Sequence, residues 1–234
     1  MVIKVDTASW NTLKLFLAVG TPIQNLFSGI GDTHFFCNRQ ALYILKNDGK
    51  KIYAQFLNNY LELINKGVGW ADKGWKNFSH YFDPVTGQGF GPWPDAKTEC
   101  SYFFKKAETY WYAGSKKKAI FFLGAALHLA QDLCVPYHAR GIAFNGHNEY
   151  EKWVQENYQD YSVYSDGIYT NSTPESYIEQ NAKTSRLYLP YVLNADYKAS
   201  YRLATRVLLP LAQRTTAGFL SLFLDRVKFD NNHA

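Results

Sequence analysis

Two pairs of side chains set four residues apart, His128 with Asp132 and His147 with Glu151, are the groups in this sequence best suited to chemistry. On a helix that spacing stacks both heads on one face, one turn apart. An imidazole and a carboxylate at such reach can share one metal ion such as zinc. His138 lies between the pairs, just beyond Pro136, so five candidate ligands fall within 24 residues. One such pair alone is as readily a packed core histidine or a surface pair; two pairs with a third histidine between them point to metal. Asp132 strengthens the argument, because its segment LGAALHLAQDLC is apolar and offers no Lys or Arg on the same helix face. A buried carboxylate without a counter-charge is strongly unfavourable, and a divalent cation removes that objection.

The remaining histidines are less telling alone. His34 begins an amphipathic stretch and His80 borders a Gly/Pro-rich loop, and each fits capping, packing or ligation equally well. Asp72, in VGWADKG, reads as a solvated loop acid. His233 sits next to the C-terminus, where chains are commonly poorly ordered.

These residues need helices to hold them. Ile52, Tyr53, Phe56, Leu57, Tyr60, Leu61 and Ile64 repeat as one buried helix face. Lys116–Cys134 is more apolar and reads as a central helix, ended by Pro136 because a residue before proline leaves the helical region. Further helices are expected over His34–Lys46, Ala96–Ala113, Asn148–Tyr158, Pro174–Leu187 and Asp196–Val227, the last broken near Pro210. Asp83–Asp95 and Arg140–Gly146 read as loops. With no convincing alternating strand and no repeat, the expectation is an all-α, single-domain multi-helix bundle. Residues 1–30 stand apart as an N-terminal segment of uncertain processing, and 31–234 as the helical domain.

Composition agrees with a folded chain: 47% of its 234 residues are hydrophobic and 17% aromatic, so a sizeable core is available. The net charge of +5 is spread out, and its one tight run, Lys116–Lys118, reads as a solvated helix start, so no nucleic-acid partner is expected. Cys37, Cys100 and Cys134 form no CxxC pair and read as buried thiols, with one disulfide left open. Leu13–Gly20 is apolar but short, contains Lys14 and leads to no clear signal-peptide cleavage site. No stretch reaches the roughly 18 apolar residues that a membrane span requires.

The ordered blocks FFLGAALHLAQDLCVPYHA (Phe121–Ala139), HNEYE (His147–Glu151), HYFDPVTG (His80–Gly87) and LAQRTTAGFLSLFLD (Leu211–Asp225) resemble the signatures of the bacterial zinc-dependent phospholipase C family. The resemblance runs from about His34 to Val227. It implies a helical fold of the phospholipase C and zinc nuclease type, and a secreted monomer that acts on phospholipid or at a membrane surface. It also implies two to three zinc ions. His80, His128 and Asp132 match one site, with Asp132 bridging to a neighbour; His138, His147 and Glu151 match a second. His34 matches the third, and Asp72 matches a ligating carboxylate given the general-base role. The implied chemistry is phosphodiester hydrolysis, with zinc neutralising phosphoryl charge and acidifying the attacking water.

Two departures stand out. In the family the third zinc is completed by the amino group of an N-terminal tryptophan. Here the nearest upstream one, Trp10, lies 24 residues before His34. Gln131 and Cys134 replace a glycine and a polar residue of the signature helix and read as packing changes. Trp70, Trp75, Phe78 and Tyr81 are candidates to receive a quaternary ammonium head group. Two other functions stay open: a nuclease or 3′-nucleotidase like the fungal zinc nucleases, and a non-catalytic metal-binding protein that docks on membranes. The H-x-x-x-E spacing of His147 and Glu151 and the DPVTG loop favour the lipase.

Overall fold

The computed structural model describes residues 31–142, 146–193 and 197–229. Trp10, His233 and the rest of the N-terminal segment therefore lie outside the described residues. Nine α-helices are present among them: α1 (Gly31–Asn47), α2 (Lys51–Asn59), α3 (Leu61–Ala71), α4 (Ala96–Tyr112), α5 (Lys116–Asp132), α6 (His147–Asn157), α7 (Pro174–Arg186), α8 (Leu189–Leu193) and α9 (Tyr197–Arg226). No strand forms among the described residues; one isolated antiparallel bridge joins Asp83 and Gln88. The fold is all-α.

Helix α5 is the axis of the bundle. Twelve of its seventeen residues are buried, including His128, Gln131 and Asp132. It packs chiefly on α3 and α4, with α7 and α9 closing the remaining sides. The α3–α5 crossing is close enough to demand glycine on both helices. A Cβ at Gly67 would collide with the carbonyl oxygen of Phe121, and one at Gly124 with that of Ile64. These helix backbones touch without side chains between them. The crossing sets Asp72, at the end of α3, opposite His128 of α5.

Several expectations change in detail. The apolar face over Ile52–Ile64 is carried by two helices, because Tyr60, at φ −116° and ψ 9°, leaves helical geometry and its N–H turns back to Leu57. Ile52 is consequently exposed while Ile64 is fully buried. Asp72 is no loop acid: it caps the C-terminus of α3. Helix α9 runs unbroken through Pro210, whose missing N–H leaves one carbonyl without its helical donor. Burial of Leu208, Leu209, Ala212 and Gln213 around it holds the helix together. Its Lys198–Arg226 span is also long and apolar enough to cross a membrane, contrary to expectation, yet 72% of the window is buried inside the bundle, as in a core helix. All three cysteines are buried and free, so no disulfide forms.

Candidate metal centre

The C-terminal end of α5 delivers two of the candidate ligands. His128 and Asp132 lie one turn apart, and Asp132 is the last helical residue before Pro136 ends the run. Burying an anion at that end is doubly unfavourable, because the helix dipole places partial negative charge there. Asp72 sits one residue past the end of α3, at its C-cap. Two carboxylates at two helix C-termini make a strong field for a cation.

Imidazoles surround Asp132 on three sides. Its Oδ2 lies 2.8 Å from His80 Nδ1 and 3.2 Å from His128 Nε2, and its Oδ1 lies 3.4 Å from His34 Nε2. His80 Nδ1 and His128 Nε2 approach to 3.4 Å, and Asp72 Oδ1 stands 3.8 Å from His128 Nε2. Ligand atoms of His34, His128 and Asp132 fall within 4.8 Å of one another, as do those of Asp72, His80 and His128. The second cluster forms where the turn after Pro136 meets α6, which follows Gly146 in a left-handed conformation at φ +94°. There His147 Nε2 lies 2.9 Å from Glu151 Oε1 and 3.2 Å from His138 Nε2, and His138 Nε2 lies 3.4 Å from Glu151 Oε1. The clusters adjoin, with the His80 and His138 rings 6.2 Å apart.

The donor set fits zinc. Donors about 2.05 Å from one tetrahedral zinc stand about 3.3 Å apart, and the second cluster's separations of 2.9, 3.2 and 3.4 Å bracket that value. Three imidazole nitrogens around Asp132, with no Lys or Arg ion-paired to Asp132 or Glu151 among the described residues, leave the carboxylates without a fixed counter-ion. Protonation follows the same logic. Burial and then the neighbouring His128 hold His34 below the ordinary histidine range against the pull of Asp132, and burial does the same for His128. Burial would raise Asp132, but His128, His138 and His80 outweigh it and hold the carboxyl well below its usual range. Glu151 is lowered likewise, against burial, by His147 and His138. Asp72 goes the other way: burial pushes its carboxyl up. Ionised Asp132 and Glu151 with neutral His34 and His128 are the protonation states that metal ligation requires.

Supporting residues hold this arrangement, and most were not evident from the sequence. Gln131, expected to be a packing change, accepts at Oε1 from His34 Nδ1 at 2.8 Å. Asp83 receives Arg186 Nε at 3.2 Å and Arg140 Nη1 at 3.6 Å. Phe82 N–H donates to the carbonyl of His138 at 3.1 Å, so the segment bearing His80 is pinned to the turn bearing His138. Asp83 lies inside the HYFDPVTG block and Arg140 two residues past His138, which were available signals; nothing local marks Arg186. Tyr137 stacks on His147 and Tyr81 on His138, with centroids 5.0 and 4.9 Å apart. Of the aromatic candidates, Phe78 stacks with Phe90 and Trp93 and leads to Tyr81 through Phe90. Trp70 instead packs between α4 and α5 against Phe103 and Phe121, with Lys76 Nζ over its ring at 4.7 Å. The side chain of Trp75 is outside the described set.

A cavity of about 390 Å³ opens beside His34, Asp132 and Glu151. Its far wall is apolar, formed by Cys37, Cys134, Val154, Leu208, Leu209 and Ala212. Burial pushes the Cys37 thiol up to about 12, so it behaves there as a small apolar group.

Comparison with known proteins agrees with the geometry. A family model described as zinc dependent phospholipase C matches residues 33–200. The phospholipase C of Clostridium perfringens is 25% identical over 239 residues, covering 86% of this chain and 60% of its own length. That of Listeria monocytogenes is 25% identical over 222 residues, covering 82% and 76%. The match thus spans three fifths of the clostridial relatives. Among solved structures, the alpha toxin of Clostridium absonum has a TM-score of 0.76 at 22% identity, covering 89% of this chain and 67% of that one. The alpha-toxin of an avian Clostridium perfringens strain gives 0.74 at 22%, covering 87% and 66%.

Proposed function

The chain belongs to the zinc-dependent phospholipase C family, and from that premise we propose that it hydrolyses the phosphodiester of glycerophospholipids, releasing a phosphorylated head group. The observation that carries this reading is the convergence of His138, His147 and Glu151 at zinc-ligand spacing beside an Asp132 ringed by three imidazoles. His80, His128, Asp132 and Asp72 would hold one ion, His138, His147 and Glu151 a second. His34 and Asp132 offer donors to a third, which the family resemblance completes with the α-amino group of Trp10 when that residue begins the chain. Zinc bound there supplies Lewis-acid charge to the phosphoryl oxygens and to the attacking water.

The protein's own groups do the rest. Asp72 is the residue to orient that water and accept its proton. Its side chain is 27% exposed, the Oδ1 atom lies 3.8 Å from His128 Nε2, and burial raises its affinity for a proton. Asp132 and Glu151 keep their neighbouring imidazoles oriented into the centre. The apolar wall of the adjoining cavity suits the diacylglycerol side of the substrate, and the Phe78–Phe90–Tyr81 sheaf lies on the side of His138. In this reading residues 31–234 are the catalytic unit, acting as a secreted monomer at a phospholipid surface.

The test is zinc content by mass spectrometry, with turnover of p-nitrophenyl phosphocholine and of phosphatidylcholine vesicles. Two to three zinc ions per chain and hydrolysis abolished by chelator are expected. Protein without stoichiometric zinc, or zinc-loaded protein that cleaves only nucleotides, would sink the reading. Asp132→Asn keeps the side chain's shape and should lose both metal and activity.

A further inference from the structure

The buried amides behind His34 run in one direction. Asn38 Nδ2 donates to Asn65 Oδ1 at 2.8 Å, which turns Asn38 Oδ1 toward Gln131. Gln131 Nε2 donates to that oxygen at 2.9 Å and to Thr216 Oγ1 at 2.9 Å. Both N–H bonds of the Gln131 amide are then used, and its Oε1 faces His34 Nδ1 at 2.8 Å. An amide oxygen only accepts, so His34 Nδ1 carries the proton. Reversing the Gln131 amide would set its oxygen against Asn38 Oδ1, acceptor against acceptor, and lose the bond to Asn38. Gln131 is 4% exposed, Asn38 0% and Thr216 1%, so solvent offers no substitute partners.

The consequence falls on the other ring nitrogen. With Nδ1–H engaged by Gln131 Oε1, Nε2 is the nitrogen of His34 left to face Asp132 Oδ1, at 3.4 Å. Its lone pair is the one available to a cation shared with Asp132. We infer that Gln131 is a positioning residue: by fixing the His34 tautomer through Asn38 and Asn65, it commits Nε2 to metal ligation with Asp132. A glycine at this position, as in the family signature, would have no side chain to do this. Gln131 is thus a feature of this chain's own His34–Asp132 half-site, and the inference rests on the metal reading for the identity of the cation. Ring orientation and tautomer of ligating histidines are commonly set by such partners on the other nitrogen.

The experiment uses the full chain with and without zinc. Gln131→Met keeps the length of the side chain but has no acceptor for Nδ1–H. It should weaken one zinc ion by about tenfold to a hundredfold in chelator competition, with the others unchanged. Thr216→Val removes a bond to Gln131 and leaves the relay to His34 intact, so it should shift zinc affinity little while controlling for loss of buried polar contacts. Gln131→Glu keeps an acceptor opposite Nδ1, and the Thr216 hydroxyl can turn to donate to its second oxygen, so all ions should be retained. Long-range proton–nitrogen correlation should show the His34 proton on Nδ1 in the wild type, zinc-loaded or zinc-free. A wild-type proton on Nε2, a Gln131→Met protein with undiminished zinc affinity, or loss of an ion in Gln131→Glu would overturn the inference. If the wild type binds no zinc, the metal reading fails separately, and the zinc-free spectrum still reports the tautomer.

Discussion

Replacing Gly67 with alanine pits two effects of opposite sign against each other. In an unencumbered helix interior alanine is better than glycine by about 0.8–1.0 kcal/mol. At Gly67 the new Cβ would collide with the Phe121 carbonyl oxygen and stand 3.0 Å from its carbon and 3.1 Å from Ala125 N. All three are backbone atoms of α5 and cannot rotate aside, so α3 must be pushed away. Overpacking of this kind costs about 1–3 kcal/mol, and contact with fixed backbone belongs at the upper end, leaving a net loss of about 1–2 kcal/mol. For a domain of this size 1 kcal/mol moves Tm by about 2–4 °C, so the variant should melt about 2–8 °C below wild type in a circular dichroism scan with saturating zinc. Turnover should fall more than stability, because Asp72 rides on the end of α3 and its 3.8 Å approach to His128 depends on the crossing. Gly124→Ala should behave alike, since its Cβ meets Ile64 across the same contact. A rise in Tm of a few degrees would refute the reasoning, for it would mean that propensity alone decides and the helices are not in backbone contact.

Asp72→Asn should lower kcat by about two to four orders of magnitude with the fold and most of the bound zinc retained; a drop within twofold in steady-state assays would return Asp72 to a structural role. Asp83→Asn should destabilise the protein by about 1–3 kcal/mol in urea titration and loosen the zinc held by His138, because Arg140 and Arg186 lose the carboxylate that both engage. Asp48 accepts from Gly167 N–H, the Tyr169 hydroxyl and Asp166 N–H, which outweigh burial and depress its carboxyl below the ordinary value. Its contribution is therefore present above the unfolded carboxyl value of about 3.9 and lost as pH falls through the lower folded one. Asp48→Asn should cost about 1–2 kcal/mol at pH 7, and the gap from wild type should close in melts as pH falls through the lowered folded value.

Much of the scaffold was legible because helices declare themselves locally. Ala96–Tyr112, Lys116–Asp132, His147–Asn157 and Pro174–Arg186 each lie within two residues of expectation, since caps such as Asp95 and Thr173 and stops such as Pro136 act on their own neighbours. The pairs His128–Asp132 and His147–Glu151 were equally plain, because spacing on one helix fixes which side chains share a face. Where burial overrode local pattern, the sequence misled: Pro210 stays inside a helix, and Tyr60 divides one apolar face between two.

Sequence alone determined the helices, the two i, i+4 pairs of histidine and carboxylate and the apolar setting of Asp132, all consequences of contacts no more than a turn apart. Only the tertiary structure decided what crosses the bundle. It put His34 and His80 on the two oxygens of Asp132, raised Asp72 from a loop acid to a partly buried carboxylate facing His128, and gave Gln131 an imidazole to hold. Those contacts join residues up to 98 positions apart in the chain, and their geometry comes from the glycine-to-backbone crossing of α3 and α5 and from the packing of α1 on that pair. No local rule of propensity or spacing encodes such distances, because they are set by the shapes of whole helices fitted together.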